Sequence, residues 1–241
     1  MSLPPISMSV EGRSCSIHFF GTPYDSRTPV IVLPVASGLP ELVKELHKRL
    51  DPVIAAGEAA PYLLAAFQTA DWNDDLSPWP ALTPNGRQRA FGGQGKVTLY
   101  WILERFLPQI EEAAPCARKG GRGLLGYSMA GLFAVWALSQ TAAFSVFGSC
   151  SGSLWYPEFC ERLCHTGPKG SCCVYLSLGE REELSRNRWF SSVGDATRQT
   201  AALLKGSPLC RELVLAWNPG GHTADVVQRL AAAQLWMRQR L

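Results

Sequence analysis

A serine with small neighbours, Gly126-Tyr127-Ser128-Met129-Ala130-Gly131, lies between a short apolar run, Gly123 to Leu125, and a strongly helix-forming stretch, Leu132 to Gln140. Strand, sharp turn and helix in that order are what a nucleophile elbow of the G-x-S-x-G kind requires. The turn strains the serine backbone and lifts its hydroxyl into the open, and small neighbours avoid collision with the adjoining strand and helix. Position 130 is Ala rather than Gly, the smallest departure available, and Gly131 follows at once. The chemistry open to such a serine is nucleophilic attack on an acyl carbon. A Gly-Ser helix cap has the same local pattern, so the decision passes to its partners.

Those partners come in the order serine, acid, histidine, which is the chain order of an α/β-hydrolase. The apolar run Cys172 to Leu178 reads as a buried strand and ends in Gly179-Glu180-Arg181-Glu182-Glu183; a second run, Glu212 to Trp217, ends in Asn218-Pro219-Gly220-Gly221-His222. Both titratable groups therefore follow the C-terminal end of a strand, where catalytic groups collect in open α/β sheets. The chain has four histidines. His18 falls in an N-terminal strand-like stretch, His47 in the charged helical run Glu41 to Arg49, and His165 beside Cys164 in a loop, all read as structural or solvated. His222 alone follows a buried strand through a glycine-rich turn that can bring an imidazole to a nucleophile. Among the acids Glu182 is favoured, three residues beyond Gly179, with Glu180 second and Glu183 third; a Ser128–His222 dyad without an acid also stays open.

Length and composition suit one catalytic domain spanning residues 1–241: 46% of the chain is hydrophobic, enough for a sheet covered on both faces. The net charge of +3 is small and dispersed, and Arg118-Lys119 with Arg122 forms only a short basic cluster. No basic face with interleaved aromatics suggests a nucleic-acid partner. The first dozen residues lack the pattern of a secretion signal, and no stretch approaches the roughly 18 apolar residues of a membrane span. A cytoplasmic protein without a membrane partner is expected. Eight cysteines are present, and Cys160, Cys164, His165 and Cys172-Cys173 match no paired zinc spacing. They are read as reduced thiols, with no metal and no cofactor.

The elements alternate. Strands are expected at Ser7 to Glu11, Cys15 to Phe20, Val30 to Leu33, Tyr62 to Thr69, Gly123 to Leu125, Phe144 to Ser149, Cys172 to Leu178 and Glu212 to Trp217. Helices are expected at Pro40 to Leu50, Lys96 to Ala113, Met129 to Gln140, Asn187 to Lys205 and Ala224 to Arg240. Two opening strands joined at a tight Gly12-Arg13 turn, followed by βα units, describe an α/β-hydrolase fold: a mostly parallel eight-stranded sheet flanked by helices. Only about twenty residues separate Ser149 from Cys172, which leaves no sizeable lid. Substrate contacts then fall to loops, chiefly residues 70–95 with Trp72, Trp79 and Phe91, and residues 151–156 with Trp155.

The elbow Gly126 to Ala134, the segment Ser151-Gly152-Ser153-Leu154-Trp155, the loop Asp71 to Trp79, and the strand ends Ser177-Leu178-Gly179-Glu180 and Asn218 to His222 together resemble the bacterial esterase D group of α/β-hydrolases. That group includes the trilactone siderophore esterases, and the likeness runs along nearly the whole chain. It implies serine ester hydrolysis of a small-molecule ester, with Ser128 as nucleophile and His222 as base. Where siderophore esterases carry an arginine, this chain reads Asp71-Trp72-Asn73-Asp74. The mechanism expected is acyl transfer through a Ser128 acyl-enzyme, with the Met129 amide as one oxyanion donor and Val35 or Ala36 as the other, because Pro34 has no N–H. Acyl transfer to an alcohol by the same serine, or a silent binding protein on this fold, are the alternatives.

Overall fold

The computed structural model describes residues 3–36, 38–83 and 90–241. β1 (Ile6–Val10) and β2 (Arg13–Phe20) form the opening hairpin. Its turn is Glu11-Gly12, one residue earlier than the expected Gly12-Arg13: both have positive φ, 49° and 82°, and Val10 pairs with Arg13. A two-residue loop that follows strand twist demands that geometry. The chain continues through β3 (Val30–Val35), α1 (Leu39–Ala55), β4 (Tyr62–Gln68) and a short α2 (Trp72–Leu76). A small hairpin of β5 (Pro80–Ala81) and β6 (Phe91–Gly92) leads to α3 (Gly95–Trp101) and α4 (Leu107–Ala113). Then come β7 (Arg122–Tyr127), α5 (Met129–Ala137), β8 (Val146–Cys150), α6 (Phe159–Thr166), β9 (Cys172–Gly179), α7 (Arg188–Ser191), α8 (Val193–Lys205), β10 (Cys210–Asn218) and α9 (Val226–Arg238).

Eight strands make one sheet in the order β1-β2-β4-β3-β7-β8-β9-β10, antiparallel as far as β4 and parallel beyond. α1 and α9 bury their apolar residues, Leu46, Leu50, Leu230 and Met237 among them, on one face. α3 to α6 and α8 cover the other with Leu99, Ile110, Phe133, Leu163 and Leu204. The interior strands β3 and β9 are buried along their full length, as parallel strands between two helical layers must be. β10 differs from the buried strand expected of it. It is the sheet's edge, paired only with β9, and its residues are half-buried or exposed.

The expected helix Lys96 to Ala113 is interrupted by a wider turn at Ile102–Phe106. Pro108 cannot donate to the Glu104 carbonyl four residues back, and the Arg105 guanidinium takes that carbonyl instead at 3.2 Å. The expected helix Asn187 to Lys205 breaks at Ser192, after Asn187 caps the Trp189 N–H at 2.9 Å. α6 was not foreseen, so His165 sits in the last turn of a helix rather than in a loop. Among the described residues no helix is long and apolar enough to cross a membrane, and all eight cysteines are unpaired.

His18 and His47 are structural. His47 stacks on Phe20 at 4.1 Å and faces Asp51, 3.0 Å away. His18 is buried on β2, its Nε2 2.8 Å from Ser16 Oγ, and burial, together with nearby His47, pushes its imidazole down from 6.5 to about 4. Below pH 6.5 the unfolded chain takes up a proton that the folded chain refuses. The stability present above pH 6.5 is therefore lost as pH falls through about 4, by up to about 3 kcal/mol. Thermal unfolding between pH 7 and 4.5 should accordingly be steeper with pH for the wild type than for His18→Gln; parallel slopes would rule the effect out.

Candidate active site

Ser128 joins β7 to α5 with φ 57° and ψ −120°, a conformation that L-residues rarely occupy. The surroundings hold it there. Its N–H donates to the Cys150 carbonyl at 3.0 Å, and its own carbonyl accepts from Leu132 and Ser153, each at 3.0 Å. A Cβ on Gly126 would lie 2.0 Å from the Ala130 carbonyl, and one on Gly131 would lie 2.9 Å from the Gly152 Cα. The glycine that this elbow needs on its helix side is thus Gly131. Ala130 points into the core, fully buried, and its methyl is accommodated.

β9 and β10 deliver the other two groups. His222 Nε2 lies 3.1 Å from Ser128 Oγ, and His222 Nδ1 lies 2.8 Å from Glu182 Oε2. Of the three glutamates after β9, only Glu182 turns inward: it is buried, whereas Glu180 is exposed and Glu183 pairs with Arg198 at 2.7 Å. Gly179 makes that turn possible, because a Cβ there would fall 2.5 Å from the Gly220 carbonyl and 2.9 Å from Glu182 Oε1. Burial pushes the Glu182 carboxyl up, but hydrogen bonds from His222, Ser151 and the Gly179 N–H outweigh it and hold the group below its ordinary range.

An arginine that sequence reasoning passed over completes the cluster. Arg229, on the first turns of α9, is 1% exposed. Its Nη1 donates to Ser151 Oγ at 2.7 Å, to Glu182 Oε1 at 3.1 Å and to the Tyr127 hydroxyl at 3.3 Å. Its Nη2 donates to the Pro219 and Gly221 carbonyls at 3.1 and 3.0 Å. The Tyr127 hydroxyl in turn donates to the His222 carbonyl. The available signal was a charged residue set among Val226, Val227, Leu230 and Ala231.

These groups open on a cleft of about 480 Å³ walled by Trp72, Asn73, Phe91, Trp155 and Phe190, with Arg181 beside Glu182. Trp72, Trp155 and Met129 line it as expected sites would. Trp79 does not: it packs edge-on against Tyr156 at 5.6 Å, its carbonyl accepts the Tyr156 hydroxyl at 2.6 Å, and Arg162 stacks over its ring. Phe190, unforeseen, meets Trp155 edge-on at 5.1 Å. Part of the 70–95 loop, residues 84–89, lies outside the described residues. Val35 and Ala36 stand at the end of β3, the neighbour of β7, but neither lines the cleft; Val35 belongs to the ladder with β4, where its carbonyl accepts the Thr69 N–H at 3.0 Å. The described residues contain no group of three or more metal-ligating side chains.

No family model matches the sequence. Over 112 residues, 45% of each chain, it is 37% identical to the uncharacterized protein YbbA of Bacillus subtilis. The match therefore spans less than half the length of that relative. Among solved structures, the siderophore hydrolase EstA from Aspergillus nidulans superposes over 98% of this chain and 94% of its own, with TM-score 0.76 and 17% identity. An IroE-like serine hydrolase from Shewanella oneidensis does so over 98% and 79%, with TM-score 0.77 and 18% identity. The BES protein from Bacillus cereus covers 98% and 94%, with TM-score 0.70 and 19% identity. Strand order and these superpositions give one architecture, and the chain has the α/β-hydrolase fold.

Proposed function

We propose that the chain is a serine carboxylic-ester hydrolase of the esterase D group, acting as one catalytic domain through an acyl-enzyme on Ser128. The observation that carries this reading is the continuous relay from Ser128 Oγ through His222 to Glu182, 3.1 and 2.8 Å, on the floor of an accessible cleft. His222 Nε2 takes the hydroxyl proton as Ser128 attacks the ester carbonyl, then returns it to the departing alcohol. Glu182 fixes the tautomer that leaves Nε2 able to accept, and balances the imidazolium that forms. Water activated by His222 releases the acid in the second half-reaction.

The oxyanion formed at each half needs two preorganised N–H donors. One is the Met129 amide, the first of α5, with no carbonyl four residues back inside the helix to receive it. We assign the other to Ala36 rather than Val35, because Val35 is engaged in the strand. Ala36→Pro should then lower kcat by roughly 10²- to 10³-fold with the fold retained, since Val35 already has the extended conformation that precedes proline. Unchanged kcat in a folded Ala36→Pro variant would move the donor elsewhere.

The aromatic walls of the cleft support an ester with a flat or apolar group, and neighbours named as siderophore hydrolases and an enterobactin esterase fit that class. Unpaired thiols, four of them buried, suit a reducing compartment such as the cytoplasm. The deciding experiment is hydrolysis of short-chain chromogenic esters by the purified chain, with covalent capture of Ser128 by a fluorophosphonate. Absence of both turnover and labelling would overturn the reading.

A further inference from the structure

Arg229 is the feature the relay does not explain. A guanidinium taken out of water is costly unless its donors are matched, and this side chain is fully buried with both terminal nitrogens matched, whereas its Nε has no partner among the described residues. Its partners are not scattered. They are the acid, the residue before the nucleophile, the first residue after β8, and two carbonyls of the loop that carries the base. A single planar fork thus reaches the ends of four neighbouring strands, which a point charge on a lysine stem could not do.

Arg229 shares in fixing two degrees of freedom in the relay. The terminal torsion of a glutamate is broad and roughly two-fold, so nothing intrinsic keeps Oε2 aimed at an imidazole. Oε1 accepts from the Gly179 N–H and Ser151 Oγ, each at 2.7 Å, and from Arg229 Nη1 at 3.1 Å; only His222 is left for Oε2. The base is carried by Pro219-Gly220-Gly221, a loop with two glycines and φ 87° at Gly220. Such a backbone has little stiffness of its own, and here the carbonyls on both sides of Gly220 are tied to Nη2.

We propose that Arg229 is the positioning residue of this site, setting the separation and relative orientation of Glu182 and His222 by holding the acid with one nitrogen and the base's loop with the other. The inference rests on the reading of Ser128, His222 and Glu182 as a hydrolytic unit, and it places no part of the reaction on Arg229 itself.

The test compares Arg229→Met and Arg229→Lys with the wild type, well below each thermal midpoint, by ester kinetics and by the low-field proton resonance of the His222–Glu182 hydrogen bond. Supporting shells of this kind are worth roughly 10- to 100-fold. Arg229→Met should lose about thirtyfold or more in kcat with KM within about threefold, and Arg229→Lys should fall between it and the wild type. The resonance should be lost or broadened in Arg229→Met. A folded Arg229→Met variant with wild-type kcat and an unchanged resonance would reduce Arg229 to a scaffold ion and overturn the proposal. If that variant does not fold, Arg229→Lys decides by the same two readouts, wild-type values in both being the overturning result. If the wild type hydrolyses no ester, the resonance still judges the positioning role, separately from the hydrolase reading.

Discussion

Replacement of Ser128 by alanine is expected to abolish ester hydrolysis, by roughly 10⁴- to 10⁶-fold in kcat, while leaving the fold in place. Among the described residues the serine side chain hydrogen-bonds to His222, and the strained elbow is held by backbone contacts that alanine preserves. A thermal midpoint close to the wild type, with stability within about 0.5 kcal/mol, should therefore accompany the loss. His222→Ala should lose nearly as much, and the double variant little more, because groups that act as one unit do not contribute additively. The measurement is steady-state turnover of a chromogenic ester, with enzyme purified free of host esterases. Turnover near wild type in Ser128→Ala would exclude the serine mechanism, and a double variant far slower than either single one would break the coupling of serine and base.

The second large effect is expected at Glu182. In Glu182→Gln the amide offers an N–H where the carboxylate offered an oxygen, which favours the imidazole tautomer with its proton on Nε2, facing Ser128. That tautomer cannot accept the serine proton, and the loss can approach about 10⁴-fold in kcat. Glu180→Gln and Glu183→Gln should stay within a factor of a few. Glu183 is paired with Arg198, but both partners are partly exposed and the pair is worth about 1 kcal/mol at most. The carboxyl of Glu182 is held below its ordinary range, so its contribution to stability is full above about pH 4.3 and is lost only as pH falls further. Glu182→Gln should flatten acid unfolding in that lower window. Equal activity in all three glutamine variants would leave a Ser128–His222 dyad as the working unit.

What could be read from the sequence was what depends on neighbours along the chain. The turn at Ser128 is spelled by Gly126 and Gly131, and the two strand ends carry Gly179 and Gly220-Gly221 within three residues of the proposed acid and base. Local signals of this kind pointed to Ser128, His222 and, among three glutamates within four residues, Glu182. Groups placed by tertiary packing were not legible. Arg229 lies in an apolar helix whose pattern gives no hint that its head meets a carboxylate forty-seven residues earlier. Trp72 and Trp79 are similar residues in one loop, yet Tyr156 claims the second, and Phe190 enters the cleft because a helix breaks at Ser192. The parallel strands were recognisable by their apolar runs, whereas the exposure of β10 follows from its rank in the sheet, which no run of residues records.

The backbone of Ser128, held at φ 57°, puts two demands of selection in opposition. A non-glycine residue in such a region costs about 1 to 3 kcal/mol, a sizeable part of the 5 to 15 kcal/mol by which a domain typically stays folded. Glycine at this position would recover most of that energy and remove the hydroxyl that faces His222. Random substitution screened for heat resistance alone would therefore tend to replace this serine, at the expense of the proposed chemistry. Under the proposed acyl-enzyme reading, a serine at a place that penalises it is accounted for by what its hydroxyl does rather than by what it adds to folding.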